Sequence, residues 1–251
     1  MHGTKNVVAG LIFFLFAVFH VKAQLYIGVE GGLSKNYLRT QDVLQTFTTY
    51  KPATGISVSI PLLFELNKWL AIKSSPNFSQ KNYEIVRTGF FQGIYQKNIN
   101  NYLQVPLQAC VRFGEKKIKG FVNLGLYGAY WMSSRIKGVE PNILNTSDTT
   151  VSNPTGLLNI VNGYKYDQSY HFDRKKDNRE EFGWIGGAGI TYQLNHYIVI
   201  LETEYSSAFS SQEKKYQLNQ SPRFNTTFYT KVGCLLNIFS SSRPGKGKHI
   251  I

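Results

Sequence analysis

One group of residues that could perform chemistry lies in a polar segment in the second half of the chain. His171 stands between Asp167 and Asp173, with Ser169 close by. Hydrolases and acyltransferases use a histidine, a carboxylate and a hydroxyl for proton transfer and nucleophilic attack. The order found here matches no nucleophile motif with defined mechanics, and surface loops often have such a composition. We therefore expect no catalytic residues, and the alternative is a hydrolase or acyltransferase that uses His171 and a carboxylate.

The same segment also has the composition of a binding surface. It carries aromatic, imidazole and basic side chains that suit contact with another protein or with a ligand: Tyr164, Tyr166, Tyr170, His171 and Arg174. The surrounding stretch 133–181 lacks a strand pattern, and loops above about 12 to 15 residues are usually functional or disordered. We expect a solvated binding loop here.

A second group of chemically capable residues is a set of charges placed along alternating apolar and polar segments. They number three of each sign, namely Glu30, Lys73, Arg112, Glu202, Glu204 and Lys231. Each falls on the polar side of its segment, so in a sheet they would share one face. Close carboxylates can act as a proton relay or a catalytic pair, whereas charges of both signs can neutralise one another. We expect a buried salt-bridge network.

Metal and cofactor binding have little support in the sequence. The histidines are scattered, at His2, His20, His171, His196 and His249. Metal sites need closely spaced ligands, so we expect no metal and no cofactor. Two cysteines, Cys110 and Cys234, are too few for a disulfide scaffold. We expect them to stay unbridged, because the alternation places them on opposite faces of their strands.

Eight segments with a period of two must position these residues. They cover approximately 25–33, 55–64, 69–79, 102–113, 120–132, 183–194, 199–205 and 224–238. In the fourth segment, for example, Leu103 and Val105 alternate with Gln104, which is typical of a half-buried strand. Pro61 and Pro106 fall inside two of the segments. Proline lacks the N–H that a strand interior needs, so we expect a bulge or distortion at both.

The connections between these strands alternate strictly between long and short. An antiparallel barrel with both termini in the periplasm has short periplasmic turns and long outer loops in this order. A soluble β-sandwich does not require long and short connections to alternate. The fold class predicted is therefore all-β, an eight-stranded antiparallel transmembrane up-and-down β-barrel, forming one domain over 24–239. Its apolar faces would contact lipid. Barrels of eight strands have interiors filled by side chains, so an open pore is not expected, and a small-solute channel is the second alternative.

Both ends of the chain carry signatures of their own. Lys5 precedes an apolar run over 7–19 that is too short to cross a bilayer as a helix, and small residues end at Ala23. This predicts a signal peptide over 1–23, cleaved near Ala23, and export to the outer membrane. The stretch 240–251 is basic and contains Ser, Gly and Pro, which predicts a flexible periplasmic tail.

The charge balance bears on partners. The formal net charge is +13, and removal of Lys5 and Lys22 with the signal peptide leaves +11. A basic exported protein meets phosphorylated lipids rather than nucleic acid. We therefore expect outer-membrane lipid and lipopolysaccharide as partners, and no nucleic acid.

Three runs of residues together resemble one known family. They are Gly28-Val29-Glu30-Gly31-Gly32-Leu33, the stretch from Tyr102-Leu103-Gln104-Val105-Pro106-Leu107 to Arg112-Phe113-Gly114, and Gly186-Gly187-Ala188-Gly189. In this combination the mature chain resembles the PorT-like outer-membrane β-barrels of Bacteroidota. Members range from accessory proteins of secretion machinery to barrels without a known role. The resemblance implies a membrane-anchored binding or accessory component, with an expected protein partner in an outer-membrane complex. From the positions of the loops, we expect binding through the outer loops, chiefly 133–181.

Overall fold

The computed structural model describes residues 24–40, 47–114, 117–142, 162–194, 197–214 and 221–238. These residues form twelve strands and one short 3-10 turn over Gly89–Phe91. The strands are β1 (Gln24–Thr40), β2 (Thr48–Ser59), β3 (Leu62–Glu65), β4 (Leu70–Ser74), β5 (Asn77–Gln80), β6 (Tyr83–Arg87), β7 (Tyr95–Phe113), β8 (Ile118–Asn142), β9 (Asn162–Ser169), β10 (Glu180–Leu194), β11 (Tyr197–Ala208) and β12 (Arg223–Asn237). No helix in these ranges is long and apolar enough to cross a membrane. The predicted signal peptide 1–23 and tail 240–251 lie outside the described residues.

The strands close into an antiparallel ring with eight positions. β2 and β3 share one position, and β4, β5 and β6 share the next, because each group runs along the same neighbouring strands. β1 pairs with β2 and β3 on one side and with β12 on the other, which closes the ring. β9 lies outside the ring and pairs with β8. The predicted eight-stranded antiparallel up-and-down barrel is confirmed.

A proline lies at one interruption in each of two ring positions. Pro61 separates β2 from β3, and Pro76 lies between β4 and β5. The registers on either side of these gaps place Pro61 and Pro106 on the two strands that flank Ser75. Proline cannot donate to a ladder, so the pairing lapses here. On its other side Pro106 keeps its register with β8, opposite Tyr127. Pairing therefore lapses once, beside both prolines, but the registers are the same on either side of the gap, so the expected bulge is absent and β7 continues unbroken through Pro106.

Alternation along each strand separates an apolar outer surface from a filled interior. Large apolar side chains are exposed on the outside, for example Val29 at 65%, Leu107 at 64% and Leu126 at 64%. Polar residues between them, such as Gln104 and Gln108, are buried inside. This arrangement is the reverse of a soluble globule and the one that lipid requires. The predicted faces are confirmed along all eight ring positions.

Glycines on the inner face make room for bulky side chains. A Cβ atom on Gly183 would lie 2.6 Å from the ring of Tyr127, and one on Gly189 would lie 2.5 Å from the ring of Phe121. Both glycines belong to β10, next to β8, which carries the two aromatic residues. The narrow interior therefore accepts large rings only where the neighbouring strand has no side chain.

The two ends of the barrel differ in their connections. At one end, called the short-turn end, the connections are 66–69, 114–117 and 195–196. At the other, called the long-loop end, they are 41–47, 88–94, 209–222 and the long excursion between β8 and β10. The predicted alternation of long and short connections is confirmed. The first two outer connections are shorter than predicted, because β1, β2, β6 and β7 continue pairing beyond the apolar part of the barrel.

The segment 133–181 differs most from its prediction as a solvated loop. β8 continues to Asn142, and β9 pairs with it from Arg135 opposite Ser169 onward. β7 also pairs with this extension over its residues 95–101. A register shift next to Asn101 leaves Met132 as an extra residue in β8. We call β6, residues 95–101 of β7, residues 133–142 of β8, and β9 the outer wall.

Candidate functional site

The lumen is apolar near the short-turn end. Its buried cluster comprises Tyr26, Leu63, Ala71, Cys110, Phe121, Ile198, Ile200 and Leu235. Arg112 lies at this level and forms an ion pair with Glu65, apart from the other five charges predicted to surround it. Glu65 was missed by the sequence analysis, although it follows the inward-facing Leu63 at a spacing of two. The thiols of Cys110 and Cys234 are free, the first buried inside and the second on β12.

The middle of the lumen holds a network of five charges, Glu30, Lys73, Glu202, Glu204 and Lys231. Lys231 Nζ lies 3.2 Å from Glu202 Oε1, 2.5 Å from Glu204 Oε2 and 4.0 Å from Glu30 Oε2. Lys73 pairs with Glu202 and lies 3.7 Å from Glu204. None of these side chains is more than 2% exposed. The structure thus brings together five of the six charges that sequence reasoning grouped.

A second buried ion pair lies nearer the long-loop end. Lys81 Nζ is 2.5 Å from Glu181 Oε1 and lies above the rings of Tyr102 and Tyr127, at 5.0 and 4.8 Å from their centroids. The Tyr127 hydroxyl and the Asn225 amide both donate to Glu181, at 2.9 and 2.6 Å. Glu181 falls at the end of the stretch predicted as the outer loop, and Lys81 was not among the predicted lumen charges. Lys81 continues the odd-numbered inward positions of its strand, which was the available signal.

Hydrogen bonds fill the space between the two ion-pair layers. The Tyr229 hydroxyl lies 3.1 Å from Ser79 Oγ and donates to Gln104 Oε1 at 3.4 Å. Gln108 donates to Glu204 at 2.9 Å, which ties this layer to the central network. Polar side chains therefore bond to one another across the barrel instead of lining a water-filled channel.

We expect the purified protein to form no stable channel in a planar lipid bilayer. Buried ion pairs such as Lys81 with Glu181 fill the lumen, and an ion entering would have to displace these partners. Single-channel current recordings, with an open porin in the same lipid as positive control, test this. Large and lasting conductance steps from the monomer would contradict a filled lumen and favour the channel alternative.

The barrel mouth at the long-loop end is covered by residues 170–179, which we call the cap. The Trp131 ring stacks between Tyr102 and Tyr170, with centroids 5.8 and 6.1 Å away, and Phe172 meets it edge-on at 4.9 Å. Arg179 donates to the backbone oxygen of Trp131 at 2.9 Å. Trp131 falls at the end of the fifth predicted strand, and no sequence signal marks it as the anchor of this segment.

Asp177 organises the cap from within. Its carboxylate accepts the Tyr170 hydroxyl at 2.9 Å and the Asp173 backbone N–H at 2.6 Å. Burial, together with this hydrogen bond to a carboxylate, raises the pKa of Tyr170. The backbone N–H of Asn178 donates to Gln212 O at 2.8 Å, so the cap is also tied to the connection between β11 and β12. The cap is a folded element.

The five residues predicted as a loop binding set occupy different places. Tyr170 lies in the cap, and Tyr166 lies on the inner face of the outer wall, where its hydroxyl donates to Gln96 at 3.2 Å. Tyr164, His171 and Arg174 are exposed. Arg174 helps to line an open groove of about 510 Å³ with Phe172, Arg179 and Lys214. The set therefore does not converge on one site.

The contacts around His171 do not assemble a catalytic triad. Within the described residues, no hydrogen bond joins His171 to Asp167 or Asp173. Asp167 instead pairs with Arg135 and Lys137, whose hydrogen bonds lower the pKa of its carboxyl group. Asp173 Oδ1 accepts the backbone N–H of Lys175 at 2.8 Å. The described ranges also hold no group of three His, Cys, Asp or Glu side chains placed to bind a metal ion.

Comparison with known proteins gives one family match. Residues 22–213 match the family described as outer membrane protein beta-barrel domain. Among solved structures, the chain is similar to Neisserial surface protein A at 11% identity and a TM-score of 0.42, covering 85% of this chain and 97% of that one. It is similar to OprG from Pseudomonas aeruginosa at 10% identity and a TM-score of 0.46, covering 88% and 98%. No curated protein matches.

Proposed function

Because the chain belongs to the outer membrane protein beta-barrel domain family, we propose that this outer-membrane barrel is an anchored binding component that docks a protein or surface ligand at its long-loop end. The outer face of the barrel contacts lipid, and the lumen is filled by packed side chains and ion pairs. The surfaces left for recognition are those beyond the membrane. The long-loop end faces outward, as long loops do in bacterial outer-membrane barrels.

The outer wall is the single observation that carries this proposal. A tilted strand crosses the membrane with about 9 to 11 residues. β7 has 19 residues and β8 has 25, so both continue well past that length. The extensions are paired with each other and with β6 and β9, which makes them a stiff sheet rather than loose loops. A stiff projecting sheet loses little conformational entropy on binding a partner.

The proposal extends to the subfamily, the export and the role of the chain. We propose that the chain is a PorT-like barrel of Bacteroidota, exported with cleavage near Ala23, and an accessory component of an outer-membrane complex. In support, the runs that carry the resemblance lie on three barrel strands, β1, β7 and β10. Arg112, within the second run, occupies a buried ion pair rather than an exposed site. These runs therefore support a barrel architecture shared with that family. The residues of the outer wall would determine which partner binds.

A shortened outer wall tests the docking role. The variant lacks residues 137–167 and joins Ile136 to Gln168, which are opposite each other in β8 and β9, through a two-residue turn. It keeps Tyr170 and Asp177, whereas removal of all of 140–178 would also remove the cap. We expect pull-downs from native membranes to lose the partner recovered with the full protein.

The control is Phe209→Ser, which changes an exposed residue on the connection between β11 and β12, outside the outer wall. Heat-modifiable gel migration checks that both variants are folded barrels. Recovery of the same partners with the shortened wall would contradict docking through it. If lipid or peptide hydrolysis were then found and abolished by His171→Ala, the rim-enzyme alternative would replace the proposal.

A further inference from the structure

Three cations gather on the outward face of the outer wall. Lys97 of β7 lies directly opposite Lys137 of β8, and Arg135 is two residues away from Lys137 on the same face. All three belong to the paired part of the wall, so their backbones are held in place. We call Lys97, Arg135 and Lys137 the cation patch.

The pairing within the patch is unfavourable without an anion. Like charges directly opposite each other on neighbouring strands destabilise a sheet. Asp167 of β9 compensates the far side of the patch: Arg135 Nε lies 2.5 Å from its Oδ1 and Lys137 Nζ lies 2.9 Å from its Oδ2. One carboxylate thus serves two cations. Lys97 lies on the opposite side of Lys137 from Asp167, and no described carboxylate comes within ion-pair distance of it.

Other charges on this face leave it positive. Glu84 of β6 lies opposite Lys97 in the register and Lys51 of β2 lies opposite Glu84. Neither forms an ion pair within the described residues. With the cation patch and Asp167, the row therefore holds four cations and two carboxylates.

The height of the patch above the apolar band indicates which class of anion it can contact. Leu103 and Tyr130 are opposite each other and are the last apolar outward pair on β7 and β8. Ile99 and Arg135 form a pair four residues further along β7. At about 3.3 Å per residue and a tilt near 40°, Arg135 lies about 10 Å above the apolar band. The headgroup layer of a phospholipid bilayer is about 5 to 8 Å thick on each side, so it ends below this level. Phosphates carried on the sugars of a glycolipid extend further from the acyl chains and reach it.

We propose that the cation patch binds a phosphate group of an outer-leaflet phosphorylated glycolipid, of the lipopolysaccharide type, between Lys97 and Lys137. The acyl chains of the same molecule would lie against the apolar residues directly below, including Leu103 and Tyr130. Such a site holds one lipid molecule against the barrel by charge and by acyl contact at once. It does not depend on the protein-docking role, because it uses the lipid-facing side of the wall.

The test measures binding of purified rough-type lipopolysaccharide to the full protein in detergent by native mass spectrometry. The second probe is the same lipopolysaccharide after removal of its phosphates with hydrofluoric acid. We expect the protein to prefer the phosphorylated form. Lys97→Gln with Lys137→Gln should weaken binding of that form about 30-fold. Binding of the dephosphorylated form should stay unchanged, and Lys97→Arg with Lys137→Arg should retain the preference.

The matched control is Lys35→Gln with Arg39→Gln. It removes the same charge from the outward side of β1, elsewhere on the barrel. An equal loss of affinity in this control would show general attraction to a basic rim and overturn the specific site. Equal binding of the two lipopolysaccharides, or full affinity in the Lys97→Gln, Lys137→Gln variant, would also overturn it. Partner recovery in pull-downs should be unaffected by the variant, which separates this result from failure of the docking proposal.

Discussion

Lys231→Met is expected to destabilise the barrel by about 3 to 5 kcal/mol, the usual cost of removing one partner from a buried ion pair. Lys231 reaches Glu30, Glu202 and Glu204, and its side chain is 1% exposed. Without it, Lys73 is the one remaining cation within ion-pair distance of Glu202 and Glu204 among the described residues, and Glu30 loses the ion-pair partner it has there. Urea unfolding in detergent micelles, followed by the heat-modifiable gel shift, measures the loss.

A second substitution shows whether charge is the cause. Lys231→Met combined with Glu204→Gln removes one stranded carboxylate, so it should recover part of the lost stability. Val232→Met is the control on the same strand, because Val232 is 57% exposed on the outer face. It should change stability by less than about 1 kcal/mol. A Lys231→Met barrel as stable as the control would mean that the central network does not hold the interior together.

The strands and their faces could be predicted from sequence because one physical rule acts at every position that crosses the membrane. Lipid excludes charge from one face, and a narrow interior accepts polar groups that pair. The period-two pattern therefore predicted that Glu30 and Lys231 share the lumen, although they lie far apart in the chain. β1 and β12 are neighbours with Glu30 beside Gly233, as closure of the ring demands.

The outer wall could not be predicted by the same rule. Beyond Met132 no lipid selects apolar side chains, so the alternation disappears while backbone pairing continues to Asn142. A mixed polar stretch therefore looked like a loop. The ion-pair partners inside the barrel could not be predicted from the sequence either. Whether Arg112 meets Glu65 or Glu202 depends on the stagger of the strands, which a periodic pattern does not specify.

The cap shows a further limit of sequence reasoning. Trp131 could be assigned to the rim, but its two faces are covered by Tyr102 and Tyr170 from distant parts of the chain. The residue most prominent in the sequence, His171, is exposed and lies beside the packed rings rather than among them. The aromatic residues on either side of His171, Tyr170 and Phe172, are the ones that pack on Trp131 and hold the cap in place.

Trp131→Ala is expected to release the cap while leaving the barrel folded. The substitution removes the stacking of Tyr170 and the edge contact of Phe172, each worth roughly 1 kcal/mol. The population of the open cap should therefore rise about 30-fold. The cap exposes three basic residues in a row, Arg174, Lys175 and Lys176, which are trypsin sites once the segment leaves the barrel mouth. Trypsin cleavage of the reconstituted protein should accelerate by a similar factor, because proteolysis follows the open population when closing is fast. Trp184→Ala is the matched control, since Trp184 packs against Tyr205 on β11 and not against the cap. If cleavage were equally fast in the native protein, in Trp131→Ala and in Trp184→Ala, the aromatic stack would not be what keeps the cap closed.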